Sequence, residues 1–370
     1  MNISEITPNE IFSRLDLAYS KLWPIWFHGA SGVGKSAIIL AWAKHQAAKQ
    51  DLDFYHVGKD QAPANPKNTF ALLDLRVSTL DALDVKGAPK IEGDNTVFKI
   101  PSMLPDAKRH GKFGALFLDE LPQGSPSVTN GLSQIIHDRI LGDHYKLPDG
   151  WLIIAAGNRK QDQASTNKVG AHIYNRFMHF EVRPDVKAWA EFAIANGSDG
   201  RIPAFIRSIR DDATGLPYLH LYVKNAIAFP SPRVWSKVDE LVSASIPLQT
   251  DMLLSCISSL VGEALANKVI GFLELANQLA TWNEISKTPA TARLPEQGSK
   301  DAASIYYVLI GMCVNRADEK TIPSAVEFIS RFPDRELQST FMLDLQIKKP
   351  ELMVNSSVSK WRSENSDIAV

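Results

Sequence analysis

The run Gly29-Ala30-Ser31-Gly32-Val33-Gly34-Lys35-Ser36 fits the spacing G-x-x-x-x-G-K-[ST]. Glycines at that spacing let consecutive backbone N–H groups converge on phosphate oxygens. A helix opening at the end of the run adds partial positive charge. In such a loop Lys35 reaches the terminal phosphates of a nucleotide and Ser36 ligates Mg²⁺. A second group lies further on. Leu116-Phe117-Leu118-Asp119-Glu120 is an apolar strand that ends in two carboxylates. Ligands of open α/β sheets bind at the carboxyl ends of the strands, where these two side chains fall. There Asp119 would hold Mg²⁺, directly or through water, and Glu120 would orient or polarise an attacking water.

Three more polar residues follow in order along the chain. Asn158 comes just after a strand ending at Ala156, where an amide could orient the water or contact a γ-phosphate, or simply serve the Gly157-Asn158 turn. Arg176 precedes the strand that begins at Phe177. Its guanidinium could stabilise phosphoryl charge, in cis or from a neighbouring subunit, or form a surface ion pair. Arg233 follows Pro232 at a helix start, where it could lean onto a nucleotide, cap the helix or stack on Trp235.

The elements that must position these residues are legible as an alternation of short apolar runs with helical periodicity, the pattern of a parallel α/β domain. Strands are expected at Pro24 to His28, Phe70 to Arg76, Ala115 to Leu118, Trp151 to Ala156 and Phe177 to Val182, giving a parallel five-stranded sheet. Helices are expected from the glycine-rich turn to Ala48 and from Val128 to Ile140, with a loop between Asp60 and Asn68. After Pro184 the period becomes that of helices: Val186 to Ala195, Arg233 to Ala244, Asp251 to Leu260, Ala264 to Trp282, Ala302 to Val314 and Ser324 to Phe332. Pro289 and Pro295 mark a loop from Thr288 to Ser299, and the polar tail after Ser356 is expected to fray. The domains expected are 1–183, 184–287 and 288–370.

Composition narrows the function classes. Over 370 residues, Lys+Arg 40 against Asp+Glu 41 leaves a net charge of -1, without the basic excess of a broad nucleic-acid surface. With 45% hydrophobic and 22% charged residues the chain is globular rather than disordered. Neither a membrane span nor a secretory signal is visible, so a cytoplasmic protein is expected. Cys256 and Cys313 are far apart in apolar helical contexts, which predicts two reduced thiols and no metal cluster.

Taken together, the motifs resemble an AAA+ ATPase, most closely the MoxR-like branch that includes RavA and the CbbQ activases. Gly29 to Ser36 matches Walker A and Leu116 to Glu120 matches Walker B. Asn158 matches sensor 1, Arg176 the arginine finger and Arg233 sensor 2. Asp84-Val85-Lys86-Gly87-Ala88-Pro89 looks like the D-x-x-G-x-P stretch of that branch, and Leu141 to Pro148 like the hairpin before its sensor 1 strand. Asn158 is followed by Arg159 and Lys160 in place of the proline frequent in MoxR proteins. The resemblance covers Ile25 to about Leu241 and implies a P-loop NTPase core followed by a helical lid and a C-terminal helical extension. It also implies ATP and Mg²⁺ as cofactors, and sites shared between the subunits of a homo-oligomeric ring, commonly a hexamer. It further implies that the ring often acts with a partner carrying a von Willebrand factor A domain, remodelling or activating a target protein. The stretch from Ser78 to Ile100, with Lys86, Lys90, Lys99 and Phe98, is read either as a lining of the ring pore or as a solvated loop. The rival readings are a nucleic-acid-dependent motor, a nucleotide switch with little turnover, and a GTP-using relative of the McrB type.

Overall fold

In Ile25-Trp26-Phe27-His28 all four residues are buried. Alternate side chains of a strand point to opposite faces, so this segment must be covered on both sides. That requirement organises the first of two compact units, Met1–Arg183 and Pro184–Val370. The computed structural model describes residues 3–158, 169–210, 214–221, 226–244, 249–276, 279–295 and 302–365.

The strands of the first unit are β1 (Ser4–Ile6), β2 (Ile25–His28), β3 (Asp53–His56), β4 (Thr69–Arg76), β5 (Pro89–Glu92), β6 (Asn95–Phe98), β7 (Phe113–Asp119), β8 (Ile140–Leu141), β9 (Tyr145–Lys146), β10 (Gly150–Gly157) and β11 (Met178–Val182). Its helices are α1 (Ile11–Lys21), α2 (Lys35–Lys49), α3 (Ala82–Lys86), α4 (Ala107–His110), α5 (Pro126–Asp138) and α6 (Ala171–Tyr174). Among the described residues one seven-stranded sheet runs in the order β1-β11-β2-β10-β7-β4-β3. All its pairings are parallel. Ile25 and Phe27 pack with Leu15, Ile39 and Trp42 of α1 and α2. Trp26, on the other face, packs in a core with Leu116, Leu118 and the α5 residues Val128, Leu132 and Ile135. The result is the α/β layering in which loops at the carboxyl edge of the sheet carry the site.

The five expected strands are all present, and two more extend the sheet at its outer edges. Both were hard to read. β1 buries only Ile6, and β3 carries Asp53 at an exposed position, so neither shows an apolar run. Between β4 and β7 the chain forms α3 and the antiparallel hairpin β5–β6. Lys90 and Lys99 both pair with Glu92 there, at 2.9 and 3.5 Å. A second small hairpin, β8–β9, occupies Ile140 to Lys146, so α5 stops at Asp138 rather than Ile140.

The second unit is built of α7 (Val186–Ala195), α8 (Arg201–Ser208), α9 (Pro232–Ser243), α10 (Thr250–Val261), α11 (Glu263–Ala276), α12 (Trp282–Lys287), α13 (Ala302–Arg316), α14 (Ile322–Ser330), α15 (Arg335–Lys348) and α16 (Ser356–Glu364). The helix expected from Ala264 to Trp282 ends at Ala276, and Trp282 begins a separate helix capped by Thr281. The tail after Ser356 does not fray at once. It forms α16, capped by Asn355 and held by buried Val358 and Trp361. α15 was missed because its buried face includes Ser339 and Asp344, which hides the apolar period. Asp344 forms a buried bidentate pair with Arg207, at 2.6 and 2.8 Å. Cys256 and Cys313 are free, and burial pushes the Cys313 thiol up. No helix among the described residues is long and apolar enough to cross a membrane.

Candidate active site

β2 delivers Gly29 to the carboxyl edge of the sheet, where its N–H donates to Gly157 O at 3.2 Å. A Cβ at Gly29 would sit 2.7 Å from the Val182 carbonyl oxygen, so only glycine allows the approach to β11. Gly32 and Gly34 have φ of +80° and +95°, the left-handed region that turns the chain back into α2. Ala30 and Val33 are buried and anchor the loop, while Ser31 is exposed. The first N–H groups of α2 have no helical acceptor and surround the loop with donors. Lys35 is buried, and its Nζ donates to Gly29 O at 2.8 Å and to Ala30 O at 3.0 Å.

Ser36, one residue on, donates its hydroxyl to Asp119 Oδ2 at 3.1 Å, across 83 positions of sequence. Asp119 closes β7, and its Oδ1 accepts the Glu120 N–H at 2.9 Å. Burial pushes the Asp119 carboxyl up. The Ser36 hydroxyl and the Glu120 N–H counter that, while Asp74 and Glu120 add to it through their charges. Glu120 has φ of +57°, an uncommon conformation for glutamate that swings its carboxylate off the strand direction. The Ser78 hydroxyl donates to Glu120 Oε2 at 2.5 Å, and the Arg76 guanidinium lies 3.9 Å from the same oxygen. Sequence reasoning missed Arg76 and Ser78. No signal in the order of residues pointed to them, because only the pairing of β4 with β7 sets Arg76 opposite Asp119.

The remaining predicted residues separate. Asn158 follows β10, between the ends of β2 and β7, and so stands at the cradle edge. Gly157 before it is required, since a Cβ would meet Pro122 Cδ at 2.4 Å. Arg159 and Lys160 lie outside the described residues. Arg176 stands at the opposite edge. Met178 pairs with Ile25 and Glu181 with His28, so β11 starts where β2 starts and Arg176 comes before that start. The four steps of β11 from Met178 to Val182, at ~3.3 Å each, span about 13 Å to the residue beside Gly29, and Arg176 lies in the turn before that strand. Exposed Arg176 instead donates through Nη2 to His137 Nε2 at 2.5 Å, and His137 Nδ1 lies 3.1 Å from Asp138 Oδ1. His137 was also missed. Arg233 is in the second unit, exposed in the first turn of α9, behind the Ser231 cap and Pro232. Trp235 is fully buried and donates to Tyr218 O at 2.7 Å.

The cradle, Ser36 and Asp119 supply a donor set of N–H groups, a hydroxyl and a carboxylate. That suits a phosphate chain with a hard cation that keeps most of its ligands as water and phosphate oxygen. No protein-family model matches the chain, and no curated protein matches it. Among solved structures it is similar to NtrX from Brucella abortus in complex with ADP, at 15% identity and TM-score 0.37, over 97% of this chain and 66% of that one. It is also similar to a point mutant of RuvB from Thermotoga maritima, at 15% identity and TM-score 0.36, over 74% and 71% of the two chains. A third likeness is to a DNA polymerase III gamma subunit-related protein from Thermotoga maritima, at 11% identity and TM-score 0.34, over 95% and 96%. Likenesses at this level say nothing about function.

Proposed function

We propose that the chain is an ATPase of the AAA+ class, in its MoxR-like branch, which hydrolyses ATP at sites shared between subunits of a ring. The observation that carries the reading is the convergence of Ser36 and Asp119 at 3.1 Å beneath a glycine-rich loop, at one sheet edge. In this reading the N–H groups of Gly29 to Ser36 cradle the phosphates and Lys35 neutralises the terminal ones. Ser36 and Asp119 hold Mg²⁺, whose charge offsets that of the phosphates when bound. Glu120 orients the attacking water and Asn158 stands beside it. Arg233 is assigned to sensing the nucleotide from a helical lid, 184–287, with 288–370 as an extension.

The position of Arg176 supports the shared site. An arginine in the turn before β11, at the far end of a strand about 13 Å long from its own cradle, fits service to another one. A hexameric ring acting on a protein partner, such as one with a von Willebrand factor A domain, in the cytoplasm, completes the reading. In such a ring the β5–β6 hairpin, with exposed Ile91 and Phe98, lines the pore.

The test is subunit mixing. Lys35→Ala subunits lack a working cradle and keep Arg176, while Arg176→Ala subunits keep the cradle. Each alone should be inactive. Mixed, with exchange demonstrated by native mass spectrometry, they should recover Mg²⁺-dependent ATP hydrolysis. No recovery would place the arginine outside a shared site, and no hydrolysis by the unaltered protein would remove the reading altogether.

A further inference from the structure

Two histidines, His28 buried and His179 half-buried, join the phosphate cradle to the turn that bears Arg176. His28, which immediately precedes Gly29, places Nε2 2.9 Å from His179 Nδ1. His179 Nε2 lies 2.7 Å from the Tyr174 carbonyl oxygen. A carbonyl only accepts, so His179 carries a proton on Nε2, and in the neutral ring its Nδ1 lone pair faces His28. His28 must then donate from Nε2. The chain therefore has one direction: His28 N–H to His179, and His179 N–H to Tyr174 O. That carbonyl also accepts the Phe177 N–H at 3.2 Å, closing the turn in which Arg176 sits. Rings reinforce the link. Tyr174 stacks on Trp26 at 4.9 Å with planes 2° apart, and Trp26 stacks on His28 at 4.9 Å.

At the cradle end, Lys35 Nζ rests on Gly29 O, one residue from His28. Burial, His179 and the Lys35 ammonium hold His28 down at about 4, so it is neutral at ordinary pH and its donor is available. A polar chain shielded from water persists only while every member is paired, which makes it a stiff connection.

We propose that His28 and His179 are positioning residues that set the arginine-bearing turn according to the state of the cradle in the same chain. Resting on the shared-site reading above, this makes the cradle of one subunit control the arginine that subunit lends to its neighbour. His28 thus acts on the adjacent site rather than on its own.

Mixing decides this. His28→Phe keeps the stacked ring and removes the donor; His28→Gln keeps an N–H donor at the same reach. His28→Phe should bind nucleotide like the unaltered protein and hydrolyse it about 10²-fold more slowly, the loss expected when a reacting group is misplaced by about 1 Å. His28→Gln should restore most of that loss. Glu120→Gln subunits, which keep nucleotide in the cradle and carry an intact arginine but do not turn over, should rescue His28→Phe, and Arg176→Ala subunits should not. The reverse pattern, rescue by Arg176→Ala alone, would mean that His28 serves its own cradle and would overturn the proposal. So would full activity of His28→Phe, or a His28→Gln as defective as it. Failure of the control pair, Glu120→Gln with Arg176→Ala, would instead sink the shared site itself. Should His28→Phe not fold, the unaltered full chain answers by NMR: the ring nitrogen signals of His179 should shift when ADP is added. ADP binding that leaves them unmoved would refute the link.

Discussion

The two edges of the sheet in the first unit are built on different principles. At the carboxyl edge, backbone geometry decides: Gly29 against Val182 O, Gly157 against Pro122, Gly32 and Gly34 in left-handed turns. At the opposite edge, side chains decide: Arg176 on His137, His179 on Tyr174 O. One edge is a rigid receptacle that any phosphate chain with the right spacing could enter. The other carries exposed Arg176 on a short turn. The two features lie at opposite ends of β11, about 13 Å of strand apart.

The sharpest break would come at the receptacle. Lys35→Ala should abolish or severely weaken nucleotide binding, and unchanged affinity in calorimetry would remove the receptacle from that edge. Next, Arg176→Ala should leave binding intact and slow hydrolysis by on the order of 10³–10⁵, because such a guanidinium meets charge that develops only in the transition state. Single-turnover rates check this. Glu120→Gln should retain nucleotide and lose about 10²–10⁴ in turnover, the usual range for a group that handles the water's proton. Normal kcat would exclude Glu120. The smallest effects test the contrast in construction. Gly157→Ala should lower stability by about 1–3 kcal/mol through overpacking. Asn175→Ala, exposed beside Arg176, should shift it by less than ~0.5 kcal/mol in denaturant melts.

Legibility in the sequence followed the same divide. The receptacle could be read because its geometry is local: Gly29 to Ser36 is one contiguous loop, and Asp119 and Glu120 end an apolar strand. Of the inner strands, β2, β4, β7 and β10 could be read because they are largely buried and mostly apolar, as in Trp151 to Ala156, whereas β11 is half-buried and carries His179 and Glu181. Partners set by register between distant strands could not. Nothing in the order of residues ties Ser78 to Glu120, His137 to Arg176 or His28 to His179, since each pair needs the sheet order first. The edge strands β1 and β3 hid for want of apolar residues. α16 hid because two side chains, Val358 and Trp361, hold an otherwise polar segment.

Lys35 carries one more consequence. Its ammonium already has two acceptors, the carbonyls of Gly29 and Ala30. On the reading proposed above, these carbonyls would compete with a phosphate for the ammonium, and a contact that displaced one of them would be an exchange rather than a gain. Measured affinity is the difference between the two arrangements. The same contacts staple the empty loop, so Lys35→Ala should also lower the melting temperature in the absence of nucleotide. The matching loss of unfolding free energy, about 1–3 kcal/mol if both carbonyls lose a buried donor, measures how strongly these carbonyls hold the ammonium.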